Sequence, residues 1–158
     1  AIEVYDDHSI LYVDVLEDVL FYWSHSSLHD PRLYWIHKKH HEYNIAVTIA
    51  ATYAISLVYF GNAIPAGLGY HLLVKVTPVH YVTIIAWLTF RLFETCEGHS
   101  GYDWSWGQMS FIPWKLGPDY HDFHHSHNVG NFGSMFGFWD TFMKTNQEYR
   151  KFKLKPHE

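Results

Sequence analysis

The sequence predicts an all-α integral membrane protein in which at least one transmembrane hairpin is joined to a core of histidine boxes. Three observations predict it: histidines recurring at helical spacing, two long stretches without a charge, and Lys and Arg placed almost entirely on one side of those stretches. At 158 residues the chain is read as one domain, 1–158, because two ordinary domains would not fit. With 48% hydrophobic and 17% charged residues it has too much to bury to be disordered. A formal charge of −5 removes the strongly basic face that nucleic acid requires. The single cysteine, Cys96, excludes a disulfide scaffold and any multi-cysteine metal site. A metal here must be held by histidine and carboxylate.

The elements follow in order. The chain starts at Ala1, which is read as a processed or partial N-terminus, and residues 1–18 hold six acids and no base. From Ile10 to His29 there is neither Pro nor Gly, and Asp14, Asp18, His25 and His29 lie on one face of a helix. Pro31 ends that helix, since the residue before proline avoids the helical region, and a second helix is expected from Arg32. Ile45 to Tyr70 is 26 residues without a charge, long enough to span a bilayer, and Val76 to Phe90 adds 15 more. Paired, they predict a hairpin over about 45–90. Only Lys75 of the 11 Lys and Arg residues falls in its turn, so the histidine-rich segments are expected to share one face, the cytosolic one. Residues 97–148 form the C-terminal histidine-box region, with Gly- and Trp-rich loops, a short helix around Asp119–His125, and glycine turns after it. The tail is basic, through Lys144, Arg150, Lys151, Lys153 and Lys155.

Fourteen histidines in 158 residues need a cause. Eight of them fall in three boxes: His25 and His29 (H-x3-H), His37, His40 and His41 (H-x2-H-H), and His121, His124 and His125 (H-x2-H-H). Imidazoles three and four residues apart sit one helical turn apart and can converge on one ion. His99 follows the hairpin on the same face and makes nine. That is too many for a single ion of four to six ligands and suits two side by side, with iron, zinc, nickel and copper all compatible with an all-nitrogen set. His8, His71, His80, His127 and His157 lie outside the boxes and are read as bystanders.

The runs FYWSHSSLH, IHKKHHEYN, WLTFRLFETCEGHSGYD and HDFHH followed by GNFGSMFGFWDTF resemble the fatty acid hydroxylase and sterol desaturase superfamily, most closely its C-4 methylsterol oxidase branch, over residues 16–148. The resemblance implies a membrane enzyme of the endoplasmic reticulum with a di-iron centre. It implies oxygen-dependent C–H oxidation of a sterol or fatty-acyl lipid, with electrons from NAD(P)H through a b-type cytochrome or reductase. Carried over by motif, the metal ligands are His25, His29, His37, His40, His41, His99, His121, His124 and His125. Asp18, Glu42, Asp103 and Asp122 are expected as acceptors for the second ring nitrogens. Tyr102, Trp104, Phe136 and Trp139 are candidates to line a lipid slot. Hydroxylation and desaturation are not separated by histidine spacing.

Two departures matter. Where the sterol branch carries a His-Pro pair after the second box, this chain has Ile55 and Ser56, and Val58 stands where an acid is common. Only 24 residues precede His25, where relatives carry further membrane helices. Both motivate a rival expectation: a catalytically silent, metal-binding member serving as a structural subunit of a larger membrane complex, with the mitochondrial inner membrane as another location.

Overall fold

The computed structural model describes residues 8–45, 47–51, 53, 67–75, 79–104, 106–107 and 115–155. The long helix expected over Ile10–His29 is α1, His8–Leu28. It unwinds where Asp30 turns the chain, its Oδ1 accepting the Arg32 backbone N–H at 2.9 Å just after Pro31. The second helix is broken: a single turn, α2 (Tyr34–His37), is followed by a 3-10 turn over His40–Glu42. The tighter winding turns neighbouring histidines apart, with consequences for the site below.

The expected hairpin at about 45–90 is not carried by any described helix. Within it the described residues give a 3-10 turn at Thr48–Ala51 and a helical stretch over 67–75, while Ile55, Ser56 and Val58 lie outside the described residues. The second uncharged stretch starts α3, Tyr81–Gly98, whose first free N–H group is capped by His80. That helix runs past the apolar stretch to include Arg91, Glu94 and Glu97. No described helix is long and apolar enough to cross a membrane. After the loop come α4 (Pro118–His127), α5 (Phe138–Met143) and α6 (Gln147–Leu154). Pro118 opens α4 where its missing N–H costs nothing, and Asn128 ends it in the left-handed conformation, φ 54°. Among the described residues there is no strand, only a single bridge between Lys115 and Phe136.

The interior is unusually polar. Among the described residues Val13, Tyr22, Ala50, Trp87, Tyr120, Phe123 and Met135 are its buried hydrophobic members, outnumbered by buried acids, histidines and amides. α1 and α3 are clamped by Arg91, which donates to both oxygens of Glu17 (2.8 and 2.5 Å), to Glu94, and to Ser134 at 3.2 Å. Trp87 Nε1 donates to Asp14 at 2.7 Å, and Lys115 Nζ lies 3.8 Å from Glu94. Such ions are held only because each finds a partner inside. The polar face of α1 therefore turns inward, while Leu11, Tyr12, Val15 and Trp23 are exposed.

Candidate metal centre

α1 brings His25 and His29 to the interior one turn apart, α2 and its 3-10 turn bring His37, His40 and His41, the end of α3 brings His99, and α4 brings His121, His124 and His125. These nine rings sort into two groups. His25, His29, His37, His41 and His124 form one; His40, His99, His121 and His125 form the other, and within each the candidate ligand atoms all lie within 4.8 Å of one another. The sorting follows local geometry. Residues i and i+4 in each box stay together (25 with 29, 37 with 41, 121 with 125), while the i+3 member of the second and third boxes, His40 and His124, crosses to the other group. The second and third boxes therefore each serve both groups.

Close approaches mark the second group. His121 Nε2 is 2.8 Å from His99 Nε2 and 3.2 Å from His125 Nε2, and His99 Nε2 is 3.5 Å from His40 Nε2. In the first, His25 Nε2 and His37 Nε2 are 3.1 Å apart. Two nitrogens bound to one ion at ~2.1 Å and roughly tetrahedral or octahedral angles are separated by about 3.0–3.4 Å; the 3.1 and 3.2 Å spacings fall in that range and the 2.8 and 3.5 Å ones just outside it, so both groups could hold a cation.

The other ring nitrogens fix the tautomers. His25 Nδ1 donates to Phe132 O at 2.9 Å, His99 Nδ1 to Thr95 O at 2.9 Å, His124 Nδ1 to Gly130 O at 2.6 Å, and His125 Nδ1 to Tyr43 O at 3.2 Å. A carbonyl only accepts, so each of these Nδ1 atoms carries the proton and each Nε2 presents a lone pair. His99 and His125 thus both aim lone pairs at His121 Nε2, where one N–H could satisfy only one of them. In the first group His29 Nε2, His41 Nδ1 and Nε2, His37 Nδ1 and His124 Nε2 are buried with no hydrogen-bond partner. Buried polar atoms left this way are costly, and a cation held by one nitrogen of each ring would remove part of that cost.

Burial holds all nine imidazoles below their usual pKa, and their mutual proximity pushes the same way. His25 and His29 are lowered to about 3, His40 and His125 to about 4, and His37, His41, His99, His121 and His124 also fall well below the ordinary value. Hydrogen bonds to Phe132, Thr95, Gly130 and Tyr43 oppose the shift without reversing it. At neutral pH the rings are uncharged, as metal ligands must be. Five and four nitrogens leave one and two positions open on six-coordinate ions, which fits a pair of divalent transition metals such as iron or zinc.

Backbone carbonyls hold four of the nine rings, and two of the expected carboxylate acceptors have partners of another kind. Asp18 accepts from the backbone N–H groups of Met135 (3.1 Å) and Phe136 (3.0 Å), and Glu42 accepts from Tyr53 Oη at 3.0 Å. Asp103 is exposed and Asp122 half-buried on α4. Asp140 is the acid the sequence reading missed. It is buried and accepts from Phe132 N (2.9 Å), Gly133 N (2.7 Å) and Thr145 Oγ1 (2.5 Å), holding the loop whose Gly130 and Phe132 carbonyls orient His124 and His25. Gly130 sits at φ 56° with Thr145 O where a Cβ would stand, so no larger residue fits there. The glycine-rich run just after the third box was the available signal.

Among the bystanders His71, His80 and His127 are outside both groups, His127 stacked on Phe123 at 4.0 Å. Nothing is described of the His8 side chain, and His157 is outside the described residues. Of the lipid-slot candidates, Tyr102 and Trp104 stack on each other at the exposed surface, Trp139 packs on Tyr22 and Trp23, and Phe136 pairs with Lys115. A groove instead opens beside His29, between Trp23, Leu33 and Phe132.

Comparison with known proteins gives the same direction as the motifs. The chain is 38% identical over 138 residues to methylsterol monooxygenase 1 of Danio rerio, covering 87% of this chain and 46% of that protein. It is 36% identical over 146 residues to the C-4 methylsterol oxidase erg25 of Schizosaccharomyces pombe (89% and 47%), and 36% over 150 residues to the very-long-chain aldehyde decarbonylase GL1-8 of Oryza sativa subsp. indica (91% and 54%). The chain spans about half the length of the curated relatives it matches. No solved structure matches it. The family model for fatty acid hydroxylase covers residues 10–145, from α1 to just beyond α5, and the chain belongs to the fatty acid hydroxylase family.

Proposed function

We propose that the chain is the histidine-bearing core of an oxygen-dependent di-iron lipid oxidase acting on a sterol or fatty-acyl lipid. The observation that carries this is the sorting of nine neutral imidazoles, seven of them buried, into groups of five and four. On this reading His25, His29, His37, His41 and His124 hold one iron, and His40, His99, His121 and His125 the other. The bound irons would supply dioxygen activation for attack on an unactivated C–H bond. The chain's own contribution is to keep the imidazoles unprotonated, to bury seven of the nine, and to orient four of them through the backbone carbonyls of Phe132, Thr95, Gly130 and Tyr43. The named relatives act on methylsterols and very-long-chain aldehydes, which supports a lipid substrate.

The protein is placed at a membrane, that of the endoplasmic reticulum by analogy with the sterol oxidases, with an electron donor such as a b-type cytochrome or its reductase. Its inverted helices support this. α1 turns its acids inward, and α3 exposes Tyr81, Val82, Ile85, Leu88, Leu92 and Phe93 while burying Trp87 and Glu94. Apolar residues outside and charges inside suit a lipid solvent. The hairpin at 45–90 remains part of the proposal.

Reduction of the iron-loaded protein followed by oxygen and a lipid extract is expected to give an oxygenated lipid product, detected by mass spectrometry with isotopic oxygen. Two bound irons with no turnover on any lipid would contradict the oxidase reading. Ile55, standing where the sterol branch carries a ligand histidine, favours the second reading of a silent subunit of a larger complex, and Ile55→His separates the two. Turnover in the native chain supports the enzyme; turnover only in the variant supports the silent member.

A further inference from the structure

Tyr22 stands one helical turn before His25 on α1 and is almost completely buried, 2% exposed. Its ring lies 6.2 Å from that of Phe132, and Phe132 lies 5.8 Å from the His25 ring, whose Nδ1 proton its carbonyl accepts. On its other side Tyr22 meets Trp23 at 5.5 Å and Trp139 at 6.2 Å, and these two indoles are 6.0 Å apart. Trp23 is exposed and Trp139 half-buried. A file of rings therefore runs from the five-histidine group to the surface. Its members beyond Phe132 are tyrosine and tryptophan, the aromatic side chains that most readily give up one electron.

Rings in contact are by themselves ordinary packing. The Tyr22 hydroxyl adds a route for a proton. Thr145 Oγ1 donates to Asp140 Oδ1 at 2.5 Å, so Tyr22 Oη is the donor in its 3.3 Å bond to Thr145 Oγ1. The phenol proton is thus aimed, through one hydroxyl, at a fully buried carboxylate. Burial holds the phenol above its ordinary pKa, so it is protonated at neutral pH and gives up an electron readily only when a base takes its proton. Tyr34 also borders the group, its ring 5.7 Å from His29, but its oxygen is engaged as the acceptor of Asn128 Nδ2 at 2.9 Å.

We propose that Tyr22 is a redox-active tyrosine that passes single electrons from the surface tryptophans to the five-histidine site, and so spares the histidines from oxidation when no substrate is in place. The Tyr22 O–H bond breaks in this step. The electron crosses Phe132 to the oxidised metal site, and the proton goes to Thr145 Oγ1, whose own proton passes to Asp140. Trp139 or Trp23 then returns an electron to the tyrosyl radical while both protons move back, and a one-electron reductant of the ascorbate class in solution refills the indole. The relay rests on the oxidase reading for its oxidant, and on the rings and hydrogen bonds for its route.

The test uses the full chain in lipid nanodiscs, loaded with iron and given hydrogen peroxide as oxidant without sterol or fatty acid. Freeze-quenched electron paramagnetic resonance is expected to show a tyrosyl radical, recognised by its narrowing when the protein carries ring-deuterated tyrosine. The signal is expected to be lost in Tyr22→Phe, to fall several-fold per bound iron in Thr145→Val, and to return in Thr145→Ser. Trp23→Phe combined with Trp139→Phe is expected to prolong the radical in ascorbate, because its refilling is cut off. Peptide mapping is expected to find oxygen added to His25 and His29 in Tyr22→Phe and not in the wild-type chain. A signal that survives in Tyr22→Phe, or is lost instead in Tyr34→Phe, overturns the proposal, and an unchanged lifetime in the double tryptophan variant overturns the surface leg of the route. Peroxide consumed by the iron-loaded chain with no tyrosyl radical overturns the relay alone; a chain that takes up no iron, or leaves peroxide unreacted, overturns the oxidase reading and the relay with it.

Discussion

His40 and His41 are adjacent in the chain yet face different groups. Neighbouring side chains on a helical turn point about 100–120° apart, which is enough to send one ring to each side, as it also does for His124 and His125 on α4. The expected outcome is that His41→Ala lowers the metal content through the five-nitrogen site and His40→Ala through the four-nitrogen site, each losing about one ion per chain. Metal analysis of both variants, with spectroscopy to tell the remaining sites apart, checks this; identical residual spectra would contradict the sorting. Protonation gives a second test at this scale. Because the folded rings are held to about 3–4 while unfolded histidine titrates near 6.5, the unfolded chain binds more protons than the folded one below that pH. Stability of the chelator-treated chain is therefore present above about pH 6.5 and lost as the pH falls toward 4, each ring contributing a slope of up to about 1.4 kcal/mol per pH unit. Denaturant melts between pH 7.5 and 4.5 measure it, and a flat profile would show that the rings are not buried neutral.

At the scale of elements, the loop between α4 and α5 matters as much as the helices that carry the histidines. Asp140 ties that loop to its own helix, and the loop's carbonyls select the tautomers of His25 and His124. Asp140→Asn replaces an acceptor oxygen with a donor facing an N–H or a hydroxyl. The expected cost is about 1–3 kcal/mol of stability and on the order of 10- to 100-fold in metal affinity, read from a thermal melt and a competition titration. Unchanged affinity would mean the loop does not position the rings. Such a residue is hard to see from sequence. The boxes were legible because spacing i, i+3, i+4 maps directly onto a helix face, and α1 was legible because Pro31 marks its end. Asp140 acts through backbone atoms 7 and 8 residues away, and the N–H groups that Asp18 accepts from lie at 135 and 136, too far along the chain for spacing to report. The second helix was misplaced because local spacing does not report where the chain tightens from α2 into a 3-10 turn.

On the scale of the whole molecule, the described helices α1 and α3 pack with their charged faces inside. Arg91 bridging Glu17 and Glu94, the Asp14–Trp87 bond and nine imidazoles form the interior, and the outer faces of α1 and α3 are apolar. The uncharged stretches announced a nonpolar surrounding, but hydropathy alone did not tell a bilayer-spanning helix from a helix with one apolar face, and α3 has charges in its last two turns. If that face meets lipid, Ile85→Asp combined with Leu88→Asp is expected to shift the protein from the carbonate-resistant membrane fraction to the extractable one without changing its metal content. Retention in the membrane fraction would assign anchoring to other parts of the chain.

Nine histidines are proposed to build two adjoining metal sites. Metal content of the purified protein combined with X-ray absorption at the metal edge tests this: two ions per chain with an all-nitrogen imidazole shell from the protein are expected, and a chain that binds one ion or none, or ions ligated mainly by carboxylate or sulfur, would refute it.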